Sequence, residues 1–198
     1  MASLRNNLGK HLALAAGLTL TPALAFAHPG HETSGLVSGL SHPLFGLDHL
    51  LAMVAVGLCA AKLGGIARWL LPLLFVGVMV LGGGLAMAGM HLPGVELGIV
   101  ASVIVLGALL VFARSGATVP AAVLVSGFAL FHGYAHGAEM PAAAGAAAYA
   151  FGFAVATAAL HGIGLVGGQW LQARHWERVT QVLGALISVA GVSMALSM

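Results

Sequence analysis

Histidines and carboxylates at helical spacing are the residues of this sequence most able to do chemistry. One segment contains His132 and His136, one helical turn apart, and Glu139 almost another turn further on the same face. Two imidazoles at this spacing chelate Ni, Co, Cu or Zn, and a carboxylate supplies neutralising charge. The segment therefore predicts part of a divalent-metal site. Gly133 and Gly137 would let another backbone approach or let the helix unwind.

A second group of such residues lies earlier in the chain. His42 and His49 are seven residues apart, and Asp48 directly precedes the second imidazole. On a straight helix the two histidines would share nearly one face but lie about 10 Å apart along the axis, too far to bind one ion. Pro43 and Gly46 between them permit a kink that would bring them closer. Asp48 is expected to ligate directly or to orient an imidazole as a hydrogen-bond acceptor.

The remaining candidates are weaker. A lone buried histidine is often a hydrogen-bonded helix contact, which leaves His161 open between packing and a metal path. It is expected close to the end of its span. His91, near a proline in a loop, is expected at the surface or at the mouth of a path. His28 and His31 are expected either to capture metal or to belong to a disordered tail, and Glu96 to complement the start of a helix.

Composition places these residues in a membrane protein. Charged residues make up 6% of the chain, apolar residues 60%, and mean hydropathy is +1.04, whereas soluble domains carry about a quarter charged residues. Six stretches are apolar over nearly the ~20 residues that a span requires. They are Leu36–Ala61, Trp69–Met90, Val95–Ala113, Val119–Ala135, Ala142–Leu165 and Val179–Leu196. The predicted fold is an all-α integral membrane bundle of six transmembrane helices.

Composition also excludes several functional classes. The net charge of +2 is too small to indicate nucleic-acid binding, and the single cysteine, Cys59, excludes an internal disulfide, an iron–sulfur cluster and a multi-cysteine zinc site. The sequence contains no G-x4-G-K-[ST] loop, so the chain itself is not expected to hydrolyse ATP. Ten histidines against seven basic and five acidic residues are the unusual feature of so apolar a chain.

The beginning of the chain has the features of a cleaved signal peptide. Arg5 and Lys10 precede a short apolar run, and an A-x-A cleavage site ends at Ala27. We therefore expect a signal peptide over residues 1–27 and a six-helix transmembrane domain over residues 28–198.

Loop charges give the predicted orientation. The basic residues of the mature chain fall in loops on one side of the bundle: Lys62, Arg68, Arg114, Arg174 and Arg178. Glu32, Glu96 and Glu139 fall on the other side. Because basic loops stay in the cytoplasm, the chain is expected in the bacterial inner membrane with both mature termini in the periplasm. The first three spans then run opposite to the last three, as two inverted three-helix repeats would.

Two longer patterns surround the metal-ligand candidates. H-x5-D-H spans His42 to His49, and F-H-G-x-x-H-G-x-E spans Phe131 to Glu139. Together they resemble the motifs of the HupE/UreJ family, nickel permeases associated with hydrogenase and urease maturation, and the likeness covers the layout of the whole mature chain. The resemblance implies uptake of Ni²⁺, with cobalt handled by some members. The residues to which it gives functional weight as metal ligands are His42, Asp48, His49, His132, His136 and Glu139.

The predicted function is facilitated or secondary uptake of nickel, with cobalt as the alternative cargo. The membrane potential favours inward movement of a dication by about 4.6 kcal/mol per 100 mV, so an ATPase subunit is not required. The expected partners are the lipid bilayer, the metal ion and, if the protein is a homo-oligomer, further copies of the chain. No organic cofactor and no enzymatic activity are expected.

Two other functions use the same residue types. An intramembrane metal-dependent hydrolase would hold a zinc-bound water among these ligands, but the sequence has no H-E-x-x-H helix, and the ligands are expected to be spread along the transport axis. A b-type haem electron carrier would use histidines of two helices as axial ligands. A haem absorption band would identify the second function, and substrate turnover without metal accumulation the first.

Overall fold

A computed structural model describes residues 35–114, 116–140 and 145–198 of the chain. All regular elements within these ranges are helical. They are α1 (Gly35–Ser41), α2 (Leu47–Leu63), α3 (Ala67–Met87), α4 (Val95–Phe112), α5 (Thr118–Ala138), α6 (Ala146–Ala173) and α7 (Glu177–Leu196), with a 3-10 turn at His42–Leu44 between the first two. The predicted signal peptide, His28, His31, Glu32 and the predicted start of the fifth span at Ala142 lie outside the described residues.

The length and composition of the helices are those of a multi-pass membrane protein. Helices α3 to α7 are each long and apolar enough to cross a bilayer. Helix α1 with its 3-10 turn and helix α2 qualify only as a pair, and the two parts are bent by 80° at the break. The predicted all-helical membrane bundle is therefore confirmed, whereas the first predicted span is divided into two helices instead of being continuous.

The fifth predicted span is longer than the sequence indicates. Its predicted end is Leu165, whereas α6 continues to Ala173. Packing holds the additional residues against α2, since a Cβ added at Gly168 would lie 2.6 Å from the Ala61 Cβ atom. His161 therefore lies near the middle of α6, and the expectation that it sits close to a helix end is wrong.

Glycines hold several pairs of helices in backbone contact, three of which join the longer helices α2 to α7. A Cβ added at Gly133 of α5 would overlap the backbone of α3, and one added at Gly57 of α2 would overlap the backbone of α6. A Cβ added at Gly107 of α4 would lie 2.6 Å from the Gly184 carbonyl oxygen of α7. Small residues allow such close approach in membranes, where van der Waals packing drives helix association. We call α3–α5, α2–α6 and α4–α7 the clamped pairs.

Large apolar side chains occupy both the interior and the outer surface of the bundle. Met53, Phe75 and Leu106 are fully buried. Phe112 and Leu81, by contrast, are 77% and 66% exposed. Helices that are apolar on both faces are typical of membrane spans, where the outer face contacts lipid.

Acidic and basic side chains other than histidine gather at the two ends of the bundle. At one end, which we call the basic end, Lys62, Arg114 and Glu177 line a cavity of about 390 Å³. The Lys62 ammonium donates to carbonyl oxygens at the end of α4. At the other end, the acidic end, Asp48, Glu96, Glu139 and neighbouring residues line a cavity of about 600 Å³.

Candidate metal-binding site

The break between α1 and α2 brings two candidate ligands against α5. It contains Pro43 and Gly46, the residues expected to permit a kink. The rings of His42 and His49 both contact the ring of His136, with centroid separations of 4.8 and 4.1 Å. The 80° bend at the break lets both rings reach the same imidazole, which a straight helix would not allow. The imidazoles form one connected cluster instead of being strung along a helix axis.

Helix α5 contributes its candidate residues near its end at Ala138. His132 and His136 lie one turn apart and are 0% and 4% exposed. Glu139 follows the last residue of the helix and is exposed. Gly133 and Gly137 press against α3, and a Cβ added at the second glycine would lie 2.5 Å from a carbonyl oxygen of that helix. Of the two roles that the sequence allows these glycines, close backbone approach is the one observed.

Three of these side chains form what we call the outer triad: His42, His136 and Glu139. Each offers one ligand atom, and the three atoms lie within 4.8 Å of one another. Bonds of about 2.1 Å hold two nitrogens of one metal ion no more than about 4.2 Å apart. The triad therefore needs to contract only slightly to bind an ion. A cavity of about 250 Å³ adjoins it and also reaches Asp48 and His49, so a hydrated ion has room to approach.

Glu139 is held in its charged form by a partner across the cluster. The His42 Nε2 atom lies 3.1 Å from the Glu139 Oε2 atom. Because an ionised carboxylate only accepts hydrogen bonds, the imidazole donates through Nε2. This hydrogen bond lowers the pKa of Glu139 against the opposing effect of partial burial. The outer triad thus carries a negative charge, which attracts a cation.

The second part of the cluster, which we call the inner pair, consists of His49 and His132. Their ring centroids are 4.5 Å apart and both rings are buried. The His49 Nδ1 atom donates to the Asp48 Oδ1 atom at 2.8 Å, and the same oxygen accepts from the His49 backbone N–H at 2.7 Å. Of the two roles expected of Asp48, the hydrogen bond that orients the imidazole is the one observed. The His49 Nε2 atom is left buried and without a hydrogen-bond partner.

His132 is oriented by a residue that the sequence did not single out. The Ser102 hydroxyl donates to the Ile99 carbonyl oxygen at 2.6 Å and lies 2.7 Å from the His132 Nε2 atom. Because its own proton is used, the hydroxyl accepts from Nε2–H. This fixes the tautomer and leaves the His132 Nδ1 atom with a free lone pair, buried and unpartnered.

His136 joins the two parts of the cluster. It contacts both His42 and His49, and its ring packs on Phe153 at a centroid distance of 3.9 Å. Neither of its buried ring nitrogens has a partner. Within the described residues, His49, His132 and His136 thus present four buried ring nitrogens without hydrogen bonds. A neutral imidazole has one nitrogen with a free lone pair, so each of these three rings offers one ligand to a divalent transition metal.

The structure brings all six predicted ligands into the cluster and separates other histidines from it. His91 is exposed in the connection between α3 and α4, and His175 is exposed between α6 and α7. His161 is buried in α6, beyond Phe75, whose ring contacts both His132 and His161.

Glu96 and Ser102 are the site residues that sequence reasoning missed. Glu96 was expected only to complement a helix start, but it lines the acidic-end cavity together with Asp48, His49 and Glu139. Ser102 is a buried hydroxyl in an otherwise apolar stretch of α4, and that isolation is the signal that could have identified it.

Comparison with known proteins gives one family and one relative. A model of the family described as "HupE / UreJ protein" matches residues 16–194. Protein HupE of Rhizobium leguminosarum bv. viciae is 44% identical over 175 residues, which cover 87% of this chain and 91% of that protein. No solved structure matches the chain.

Proposed function

Because the chain belongs to the HupE/UreJ family, we propose that it carries Ni²⁺ across a bacterial inner membrane through the outer triad and the inner pair. The observation that carries the proposal is the set of unpartnered ring nitrogens in His49, His132 and His136. Unsatisfied polar groups in an apolar bundle cost several kcal/mol each. A passing divalent metal ion is a partner that satisfies them.

The outer triad acts first. His42 and Glu139 have side chains 34% and 61% exposed, so an ion bound there keeps part of its water. The ion then passes by way of His136 to the inner pair, where both rings are buried. Asp48 and Glu139 together offset the two positive charges of the ion, which lowers the cost of removing its water.

The choice of metal rests on the family. Mixed nitrogen and oxygen ligands follow a general affinity order and bind copper more tightly than nickel, so the ligand set alone does not select nickel. Cobalt is the alternative cargo. The imported ion supplies hydrogenase or urease maturation, and the membrane potential drives its entry. The hydrolase alternative has no support in the family.

The proposed topology has six spans, with α1 and α2 forming one broken span. Broken helices are common at the binding sites of transporters. The basic end faces the cytoplasm, because basic loops are retained there. After removal of residues 1–27, both termini then lie in the periplasm.

The clamped pairs support an arrangement of two inverted repeats. If the first three spans are exchanged with the last three, α3 (the second span) takes the place of α6 (the fifth), and α5 (the fourth) takes the place of α2 (in the first). The pair α3–α5 thereby becomes the pair α6–α2. The same exchange maps the pair α4–α7 onto itself. This is the pairing that two inverted three-helix repeats produce.

The test is metal accumulation by cells that lack their own nickel importer. The cells express the wild-type protein, His136→Ala or His175→Asn at matched membrane levels. His175 is an exposed histidine with a positive φ of 57°, and asparagine tolerates this backbone conformation, so His175→Asn is a matched control. We expect the wild type and the control to accumulate trace Ni²⁺, with inhibition by Co²⁺ more than by Mn²⁺, and His136→Ala to accumulate none. Wild-type cells no richer in nickel than empty cells would overturn the proposal.

A further inference from the structure

His161 is a buried imidazole that lies outside the cluster. It is 1% exposed, and neither of its ring nitrogens has a hydrogen-bond partner. Its ring contacts the Phe75 ring edge to face, at a centroid distance of 5.1 Å and an interplanar angle of 83°. A leucine or phenylalanine would fill this position without burying unsatisfied nitrogens. Packing alone therefore gives no reason for a histidine here.

Phe75 links His161 to the inner pair. Its ring centroid lies 5.7 Å from that of His132 and 5.1 Å from that of His161. A single aromatic ring therefore contacts both imidazoles. An ion that leaves the inner pair on the side of Phe75 meets His161 as the next unpartnered nitrogen ligand.

One face of α6 runs from the outer triad to His161. Phe153 contacts the ring of His136, and Thr157 and His161 follow at successive steps of four residues. His161 thus lies about 12 Å further along this face than Phe153. Gly168, about 10 Å further still, lines the cavity at the basic end. His161 is therefore placed between the cluster and that cavity.

From this placement we propose that His161 is an inner binding station for the divalent cation on its way to the basic end. The proposal rests on the proposed function, because it extends the same path. A second candidate ligand, the Thr157 hydroxyl oxygen, lies one turn away on α6. Because this hydroxyl donates its proton to the Met79 sulfur at 3.7 Å, the lone pairs of its oxygen are left free. An imidazole nitrogen and a hydroxyl oxygen form a mixed set of the kind that Ni²⁺ and Co²⁺ accept.

The first test measures uptake against Ni²⁺ concentration for His161→Ala and His161→Phe, with His175→Asn as the control. Phenylalanine keeps a ring against Phe75 but removes both nitrogens. We expect both variants to lower the maximal rate by about tenfold or more, where tenfold corresponds to about 1.4 kcal/mol. The half-saturating concentration should stay unchanged, because capture at the outer triad is untouched. A wild-type rate for His161→Phe would assign His161 to packing and overturn the proposal.

The second test does not depend on which ion the protein carries. His161→Cys is made in a Cys59→Ala background, and the natural Cys59 of the wild-type chain is the control. Cys59 is 2% exposed, and its thiol donates to the Leu106 carbonyl oxygen of α4. Full-length protein in membranes is treated with a small cationic methanethiosulfonate, and modification is followed by mass spectrometry.

We expect the His161→Cys thiol to react about tenfold faster than Cys59, since reactivity follows access. Addition of Ni²⁺ should slow this reaction. Equal rates for the two thiols would mean that no cation path reaches this position and would overturn the inner station. A reactive thiol in a protein whose wild type accumulates no nickel would overturn the proposed function and leave the path to His161 standing.

Discussion

The outer triad and the inner pair both contain imidazole ligands, but different interactions hold those ligands in place. In the outer triad, His42 and Glu139 are partly exposed and hold each other, so an arriving ion can replace their mutual hydrogen bond. In the inner pair, each buried ring donates to a group outside the pair, Asp48 or Ser102, and its free lone pair is fixed in advance. In the proposed path, capture can thus use adaptable ligands assisted by water, whereas transfer through the dry interior requires ligands that are already oriented.

Removing the helix contact that supports both regions should have the largest effect. In Gly133→Ala the new Cβ would overlap the Met79 carbonyl oxygen, so α3 and α5 must separate and His132 and His136 must move together. We expect little folded protein in the membrane and no uptake. Gly127→Ala is the control, because Gly127 lies in the same helix and a Cβ added there meets nothing within 4 Å. Fluorescence size-exclusion chromatography of the two variants measures the difference, and a well-folded, active Gly133→Ala protein would contradict the close packing.

Loss of an inner ligand should abolish transport without preventing folding. We expect His49→Ala and His132→Ala each to eliminate the maximal rate, because water does not cheaply replace a missing ligand in the buried part of the path. Asp48→Ala should behave in the same way, because it removes a negative charge as well as the hydrogen bond that orients His49. Raising external Ni²⁺ should not restore uptake. Normal uptake by His132→Ala would remove the inner pair from the path.

Loss of an outer ligand should weaken capture and leave the maximal rate intact. His42→Ala and Glu139→Ala are expected to raise the half-saturating Ni²⁺ concentration by about 10- to 100-fold, which corresponds to about 1.4–2.8 kcal/mol of binding. Uptake should recover as external Ni²⁺ is raised, since water partly replaces the lost ligand. If these variants and the inner-pair variants respond alike to raised external Ni²⁺, the division into an outer triad and an inner pair is wrong, and the cluster acts as one compact site.

The smallest effect is expected from a residue that only orients a ligand. Ser102→Ala removes the acceptor that fixes the His132 tautomer, and we expect a fall in the maximal rate of about tenfold, the lower end of the range for such residues. Ser188→Ala is the control, because the Ser188 hydroxyl donates to the Ile104 carbonyl oxygen at 2.8 Å in another part of the bundle. Equal rates for the two serine variants would show that the hydrogen bond to His132 is not needed.

The parts of the site that the sequence predicts are those set within one helix. The spacing of His132 and His136 places them on one face of α5 whatever the rest of the chain does. The angle at the break does not follow in the same way, because Pro43 and Gly46 permit a kink without setting its 80°. The role of Ser102 depends on contact between two helices, and no local pattern reports such a contact.

The same limit explains the error in the fifth span. The predicted end at Leu165 comes just before Gly167 and Gly168, which have no apolar side chain to extend the run. Only the close approach of Ala61 in α2 shows that Gly168 belongs to a helix interface. Composition, by contrast, is a property of the chain as a whole, which is why the membrane class could be predicted.

The clamped pairs also determine how the bundle can move. Two helices in backbone contact tilt together as one lever. The α2–α6 lever carries His49 and His161, and the α3–α5 lever carries His132 and Phe75. Any rotation of one lever against the other therefore changes two gaps at once, that between His49 and His132 and that between Phe75 and His161. A pivot between these two levels would open one gap as it closed the other, and that is the motion that distinguishes a carrier from a channel.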